Sequence, residues 1–89
     1  MAKKDTPKSN IEFEIVKLVK SRRDELGITQ TKISEFLKVT RGYIGQIEMK
    51  SSASMYSFDQ LKVLATVLKC SMKDFMPEKQ VEKSRGEEY

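Results

Sequence analysis

Residues 28–48 read ITQTKISEFLKVTRGYIGQIE, and this stretch determines the fold. Thr29 can begin a helix, because a threonine hydroxyl oxygen accepts a hydrogen bond from a backbone N–H of the first turn. Ile33 and Leu37 then lie one turn apart on the same helix face. Only two residues separate Leu37 from Thr40, which is a second candidate N-cap. The pattern predicts two short helices joined by a tight turn.

The second of these helices has two different faces. Ile44 and Ile47 share one face and predict contact with a core. The opposite face presents a guanidinium, an amide, a phenol and one position without a side chain, at Arg41, Gln46, Tyr43 and Gly42. Two short helices at a tight turn, with such a set facing outward, indicate a helix-turn-helix, whose second helix fits the major groove of DNA.

The motifs LGITQ at residues 26–30 and VTRGYIGQIE at residues 39–48 are similar to those of the phage repressor/Cro (XRE-type) helix-turn-helix family. The similarity continues to Phe75 and covers about residues 11–77. Two positions depart from the family pattern. Lys38 stands where the turn usually has glycine, so a lysine is expected at positive φ. The loop after Glu48 lacks the usual glycine and is slightly longer.

The resemblance and the helix signals imply an all-α fold, a five-helix repressor-like helix-turn-helix domain. The first helix is predicted at about 10–26, with a capping box from Ser9 and a left-handed C-cap at Gly27, and its outer charged face, which includes Arg22, is expected to be solvated. The other helices are predicted at about 29–37, at 40–48, from the cap at Ser57 to about 69, and in a short last segment after Ser71 that Pro77 ends. Three regions follow: a flexible basic arm at 1–8, the DNA-binding domain at 9–77 and a charged disordered tail at 78–89. For the arm, a frayed terminus is favoured over a segment that reaches along DNA.

Two positions inside the helices indicate tight packing. Ser34 lies where the two helices approach each other, and its hydroxyl is expected to bond to a carbonyl one turn earlier. Gly45 in mid-helix costs about 1 kcal/mol in helix propensity. A close backbone approach, to DNA or to another helix, would offset this cost.

Composition excludes several classes of function. The net charge of +4 and the pI near 9.2 permit a polyanionic partner. The sequence has no histidine and a single cysteine, so the usual general base, zinc sites and an internal disulfide are excluded, and no cofactor or metal is expected. No apolar run suits a membrane span or a signal peptide. The expectation is a cytoplasmic protein that is not an enzyme.

The resemblance and the chemistry of base edges assign candidate contacts. Arginine matches guanine and glutamine matches adenine in the major groove, so residues of the second helix are predicted to contact bases: Arg41, Gly42, Tyr43 and Gln46. Residues at the two helix N-termini and after Glu48 are predicted to contact DNA phosphates: Thr29, Gln30, Thr40 and Lys50. The resemblance also implies a structural ion pair between Arg23 and Glu48.

These contacts predict a sequence-specific DNA-binding transcription regulator that acts as a homodimer on palindromic double-stranded DNA. The candidate dimer interface lies around Met72, Phe75 and Met76. The alternative is an antitoxin with the same fold and a toxin partner, which a toxin gene next door would identify. A third possibility is an interaction module that has lost DNA binding. An acidic or truncated second helix would favour that possibility. The operator, the effector and the direction of regulation are left open.

Overall fold

The computed structural model describes residues 7–78, which form an all-α fold without strands in that range. Four α-helices are followed by one turn of 3-10 helix. They are α1 (Asn10–Glu25), α2 (Gln30–Leu37), α3 (Arg41–Ile47), α4 (Phe58–Val67) and the 3-10 turn (Met72–Phe75). Helix α2 packs against α3 and α4, and the 3-10 turn packs against α1 and α4.

Side-chain caps begin all four α-helices, as predicted from sequence. Thr29 and Thr40 each accept a hydrogen bond through Oγ1, from the backbone N–H of Lys32 and Tyr43 at 3.1 Å. Ser9 forms a capping box at the start of α1, in which Glu12 N donates to Ser9 Oγ and Ser9 N donates to Glu12 Oε1. Ser57 forms the second box, with Gln60. Each cap satisfies amides that a helix leaves without partners.

Three helices end in the same left-handed turn. Gly27, Lys38 and Lys69 have φ values of 70°, 60° and 59°. In each turn the next residue donates to a carbonyl five positions back; after Gly27, Ile28 N lies 2.9 Å from Arg23 O. This is the Schellman arrangement, in which glycine is the favoured residue at positive φ. The predicted cap at Gly27 is therefore confirmed, and Lys38 has the positive φ that the sequence predicted.

Replacing Lys38 by glycine is expected to stabilise the domain. Left-handed backbone costs a residue with a Cβ about 1–2 kcal/mol, while glycine adds about 0.5–1 kcal/mol of unfolded-state entropy. The net gain in the free energy of unfolding should be about 0.5–1 kcal/mol, measured by urea denaturation. Lys32→Gly, inside α2, is the control and should cost about 1 kcal/mol. Equal destabilisation by both changes would contradict the prediction.

One basic side chain binds the carbonyl end of α4. Arg22 of α1 donates from Nε to Leu68 O at 2.9 Å and from Nη2 to Lys69 O at 3.0 Å. A cation at this end of a helix also interacts favourably with the helix dipole. The sequence predicts that Arg22 lies on a solvated charged face, whereas in the structure it joins α1 to the end of α4.

The core is built from one face of every element. Its buried side chains are Ile15, Val16, Val19, Ile33, Ile44, Ile47, Tyr56, Leu61, Leu64, Ala65, Leu68 and Phe75. Ser34 is also buried, and its hydroxyl donates to Thr31 O at 2.7 Å. This is the predicted back-bond, and it allows a polar residue to stand between packed helices.

The predicted fifth helix is only a single 3-10 turn over Met72–Phe75. Ser71 N donates to Asp74 Oδ2 at 3.0 Å, which closes the turn after three residues and lowers the pKa of the Asp74 carboxyl. Met76 is extended, with φ −98° and ψ 137°, as a residue before proline prefers. Pro77 therefore stops the segment before an α-helical turn can form.

The predicted arm and tail lie largely outside the described residues. This applies to residues 1–6 and 79–89. Lys8, the last residue of the predicted arm, is 4% exposed and lies against the folded domain. None of the helices between residues 7 and 78 has the length and apolar character that crossing a bilayer requires.

Candidate nucleic-acid interface

Helix α3 presents three of the four predicted base-reading residues on its outer surface. Ile44 and Ile47 are fully buried, while Arg41, Gly42 and Gln46 are exposed. Tyr43 is half-buried against the core, with its hydroxyl 3.5 Å from the Met55 carbonyl oxygen. The ring of Tyr43 thus helps to hold α3 in place, and the side chain is only partly accessible.

The predicted phosphate-binding residues lie at the N-termini of α2 and α3 and in the loop after α3. Thr29 and Thr40 are exposed at the N-termini of α2 and α3, where their side-chain oxygens accept the capping hydrogen bonds. Lys50 is exposed in the loop after α3, and its Nζ lies 5.9 Å from the centre of the Phe13 ring. Gln30 is half-buried and points toward the end of α3. The two helix N-termini offer amides to an anion.

A three-residue network joins the ends of the helices. Arg23 donates from Nη2 to Glu48 Oε1 at 3.0 Å and from Nε to Glu48 Oε2 at 3.2 Å, so the pair is bidentate. Gln30 donates from Nε2 to Glu48 Oε1 at 2.8 Å. Arg23 Nη1 also binds the Ile28 carbonyl at 2.9 Å. The network connects the end of α1, the start of α2 and the residue that ends α3.

The surroundings of this network exclude most water. The side chains of Arg23 and Glu48 are 9% and 6% exposed. The nearby Tyr56 hydroxyl is buried and, among residues 7–78, has no hydrogen-bond partner. Burial raises the pKa of Tyr56, and the negative charge of Glu48 raises it further. Because little water reaches the pair, each charge is stabilised mainly by the other. Removing one of the two side chains would leave the other desolvated and unpaired.

Lys8 was not anticipated as part of this region. Its Nζ donates to the Met49 and Ser52 carbonyls, each at 2.7 Å, and its backbone N–H donates to the Lys50 carbonyl at 3.3 Å. Burial lowers the pKa of Lys8, and the charge of Glu12 opposes this change. The contacts cross more than forty residues of sequence, so no local pattern could have revealed them.

Gly45 is not crowded by the rest of the domain. A Cβ atom at this position would meet only Gln30 Oε1, at 4.0 Å, which is an ordinary van der Waals contact. Packing against another helix therefore does not require glycine at this position. The neighbouring helices between residues 7 and 78 therefore do not explain the glycine.

Gly45→Ala is accordingly expected to stabilise the free protein by up to about 1 kcal/mol, because alanine has the higher helix propensity. Thermal unfolding, followed by circular dichroism, measures this change. Gly27→Ala is the matched control and should be destabilising, since Gly27 has φ 70°. A lower melting temperature for Gly45→Ala would show that α3 and α2 must approach more closely.

The sequence model of the helix-turn-helix family matches residues 19–75, which is well over half of the chain. The chain belongs to the XRE-type helix-turn-helix family. The matched range begins within α1 and ends with the 3-10 turn, so it includes α2, α3 and the whole Arg23–Glu48–Gln30 network. A comparison with curated proteins finds no match to this helix-turn-helix chain.

Solved structures share this helix-turn-helix fold. The clp gene regulator ClgR from C. glutamicum is 20% identical, with a TM-score of 0.63 over 76% of this chain and 86% of that chain. Hydroxypropylphosphonic acid epoxidase from S. wedmorenis is also 20% identical, with a TM-score of 0.65 over 76% of this chain. The chain spans 35–43% of the length of the epoxidase structures. At these identities the similarity shows the fold alone.

Proposed function

We propose that this protein is a sequence-specific DNA-binding transcription regulator that inserts α3 into the major groove. The observation that carries the proposal is the outer surface of α3, where Arg41, Gly42 and Gln46 are exposed on a helix whose other face is fully buried. An α-helix fits the major groove, and these side chains match the hydrogen-bonding patterns of base edges. The role requires no catalytic group and no cofactor.

The proposed base contacts divide between the two ends of α3. Arg41, at the first helical position, would bind O6 and N7 of a guanine with its guanidinium fork. Gln46, more than one turn later, would bind N6 and N7 of an adenine. Gly42 would let the backbone approach the groove closely, because nothing projects from it. Tyr43 would contribute only the edge of its ring, through a thymine methyl or a phosphate.

The proposed phosphate contacts surround these positions. Thr29 and Thr40 have used their oxygens as acceptors in the caps, and each hydroxyl hydrogen is available to a phosphate oxygen. The amides of the first turns and the helix dipole add to the attraction. Lys50 would supply a charge at the other end of α3. Gln30 donates one amide hydrogen to Glu48 in the free protein. We propose that its second amide hydrogen would be donated to a phosphate oxygen.

We further propose a homodimer bound to an imperfect palindrome. Two copies related by a two-fold axis would place their α3 helices in successive major grooves, about 34 Å apart. Phe75 is 1% exposed and belongs to the monomer core, so it does not contribute to a dimer surface. Only Met72 and Met76, which are half-buried, are left from the sequence-based interface.

Selection of binding sites from fragmented genomic DNA by the purified protein tests the proposed function. The expected result is a recurrent motif with dyad symmetry, bound by two copies as judged by analytical ultracentrifugation. Enrichment of no motif above background would overturn the sequence-specific role. A motif without a dyad, bound by one copy, would retain DNA binding and overturn the dimer.

A further inference from the structure

The residues that follow α3 form a short turn around the Lys8 side chain. Ser52 N donates to Met49 O at 3.2 Å, which closes residues 49–52 into the 49–52 turn. Lys8 Nζ binds the carbonyls at both ends of this turn, Met49 O and Ser52 O, at 2.7 Å each. Lys8 N binds the Lys50 carbonyl between them. One residue thus binds three of the four carbonyls of the turn.

The position of Lys8 has a clear electrostatic basis. The carbonyl end of α3 carries a partial negative charge, and an ammonium group there is favourable. Lysine supplies three donors, so it can bind several carbonyls at once. Lys8 is 4% exposed, and a charge this deeply placed is retained only where polar partners compensate for lost water. These contacts therefore form a specific binding site for the Lys8 ammonium group.

The same turn carries Lys50, the proposed phosphate contact beside the end of α3. Lys50 lies between the two carbonyls that Lys8 binds, and its own Nζ extends over the Phe13 ring of α1. Between residues 51 and 54 the loop has three serines, an alanine and no large side chain, so the hydrogen bonds from Lys8 supplement the turn's own bond from Ser52 N to Met49 O.

We propose that Lys8 is a positioning residue for DNA binding, which holds the 49–52 turn so that Lys50 meets the phosphate backbone. This inference rests on the proposed function. Lys8 itself does not touch the DNA in this arrangement, since its three contacts are all within the protein. Its contribution to affinity is made through Lys50 and is independent of the base sequence.

The test combines Lys8→Met, which keeps the aliphatic stem, with Lys50→Ala on the full chain. In the free protein, Lys8→Met should speed hydrogen exchange at the Ser52 amide without speeding it in the buried helices. On the selected operator, each single change should weaken binding by a similar factor for all base variants. Each should also reduce the slope of log K against log salt by about one. The double variant should bind no more weakly than Lys50→Ala alone.

Three controls separate this role from simpler ones. Lys62→Met removes one charge from an exposed lysine of α4 and measures the general effect of net charge. Deletion of residues 2–6 measures any direct contact made by the preceding segment. Lys8→Arg, which retains a cation with several donors, should restore part of the affinity. If Lys8→Met does not fold, Lys8→Gln gives the same comparison with one donor group retained.

Additive losses for Lys8→Met and Lys50→Ala would overturn the positioning role, as would an unchanged Ser52 exchange rate. The same defect on deletion of residues 2–6 would overturn it too, because the contact would then belong to that segment. If the wild-type protein selects no DNA site, the proposed function fails as well. Wild-type binding with additive losses overturns only the role of Lys8.

Discussion

Glu48→Ala is expected to destabilise the domain by about 3–5 kcal/mol, because the change leaves the Arg23 guanidinium desolvated and unpaired. The bidentate pair is less than one tenth exposed on both sides, and Glu48 also accepts from Gln30. Arg23→Ala should destabilise the domain by a similar amount, because it leaves the Glu48 carboxylate desolvated and unpaired. The double variant should lose less stability than the sum of the losses in the two single variants. Urea denaturation of all four proteins gives the coupling energy.

The exposed pair Lys17–Glu14 is a matched control for this cycle. Its atoms are 3.0 Å apart, as close as those of the buried pair, but its side chains are 53% and 38% exposed. Water and salt screen such a pair, so its coupling should be about 0–1 kcal/mol. Glu48→Gln, which keeps two polar atoms and removes the charge, should be milder than Glu48→Ala. Additive losses for Arg23→Ala and Glu48→Ala would show that the pair contributes no coupling.

Arg41→Ala should cost about 1–3 kcal/mol of binding free energy and relax the preference at one guanine, with the other positions unchanged. Arg41 and Gln46 are five residues apart, so their directions differ by about 140° on an ideal helix and they should meet different base pairs. The loss is confined to one position because the guanidinium fork recognises O6 and N7 of a single guanine. Binding to a panel of single-base operator variants at two salt concentrations measures it.

Lys50→Ala is the comparison within the same experiment. It should weaken binding to all sequences alike and reduce the salt slope by about one, as expected of a phosphate contact. Gln46→Ala should relax a different position, at an adenine. If Arg41→Ala weakens every sequence by the same factor, Arg41 contacts phosphate and the proposed base reading is wrong.

Features set by neighbouring residues were predictable from the sequence. The caps at Ser9, Thr29, Thr40 and Ser57 depend on hydrogen bonds across three residues, and each was found where the pattern indicated it. The left-handed turn at Gly27 is equally local. The family resemblance supplied the helix order and directed attention to Arg23 and Glu48, which are distant in sequence and which periodicity alone could not have paired.

Features that depend on the packed fold were not predictable. Lys8 and Arg22 read as ordinary surface cations, because nothing near them in sequence shows that the ends of α3 and α4 will lie beside them. The length of the last helix was overestimated. Pro77 holds Met76 in an extended conformation, which ends the segment soon after the capping signal at Ser71 begins it. Tyr43 was placed with the outer residues, although its ring packs against the core.

The Arg23–Glu48–Gln30 network also bears on the order in which the protein opens. Fraying the end of α3 would remove Glu48 from Arg23 and leave a charge in poorly solvated surroundings, so this end should open only together with α1 and α2. Native-state hydrogen exchange should then show the three helices as one cooperative unit, with the 3-10 turn opening more easily. Under the proposed function this network preorganises α3, so little conformational entropy would be lost when the helix enters a groove.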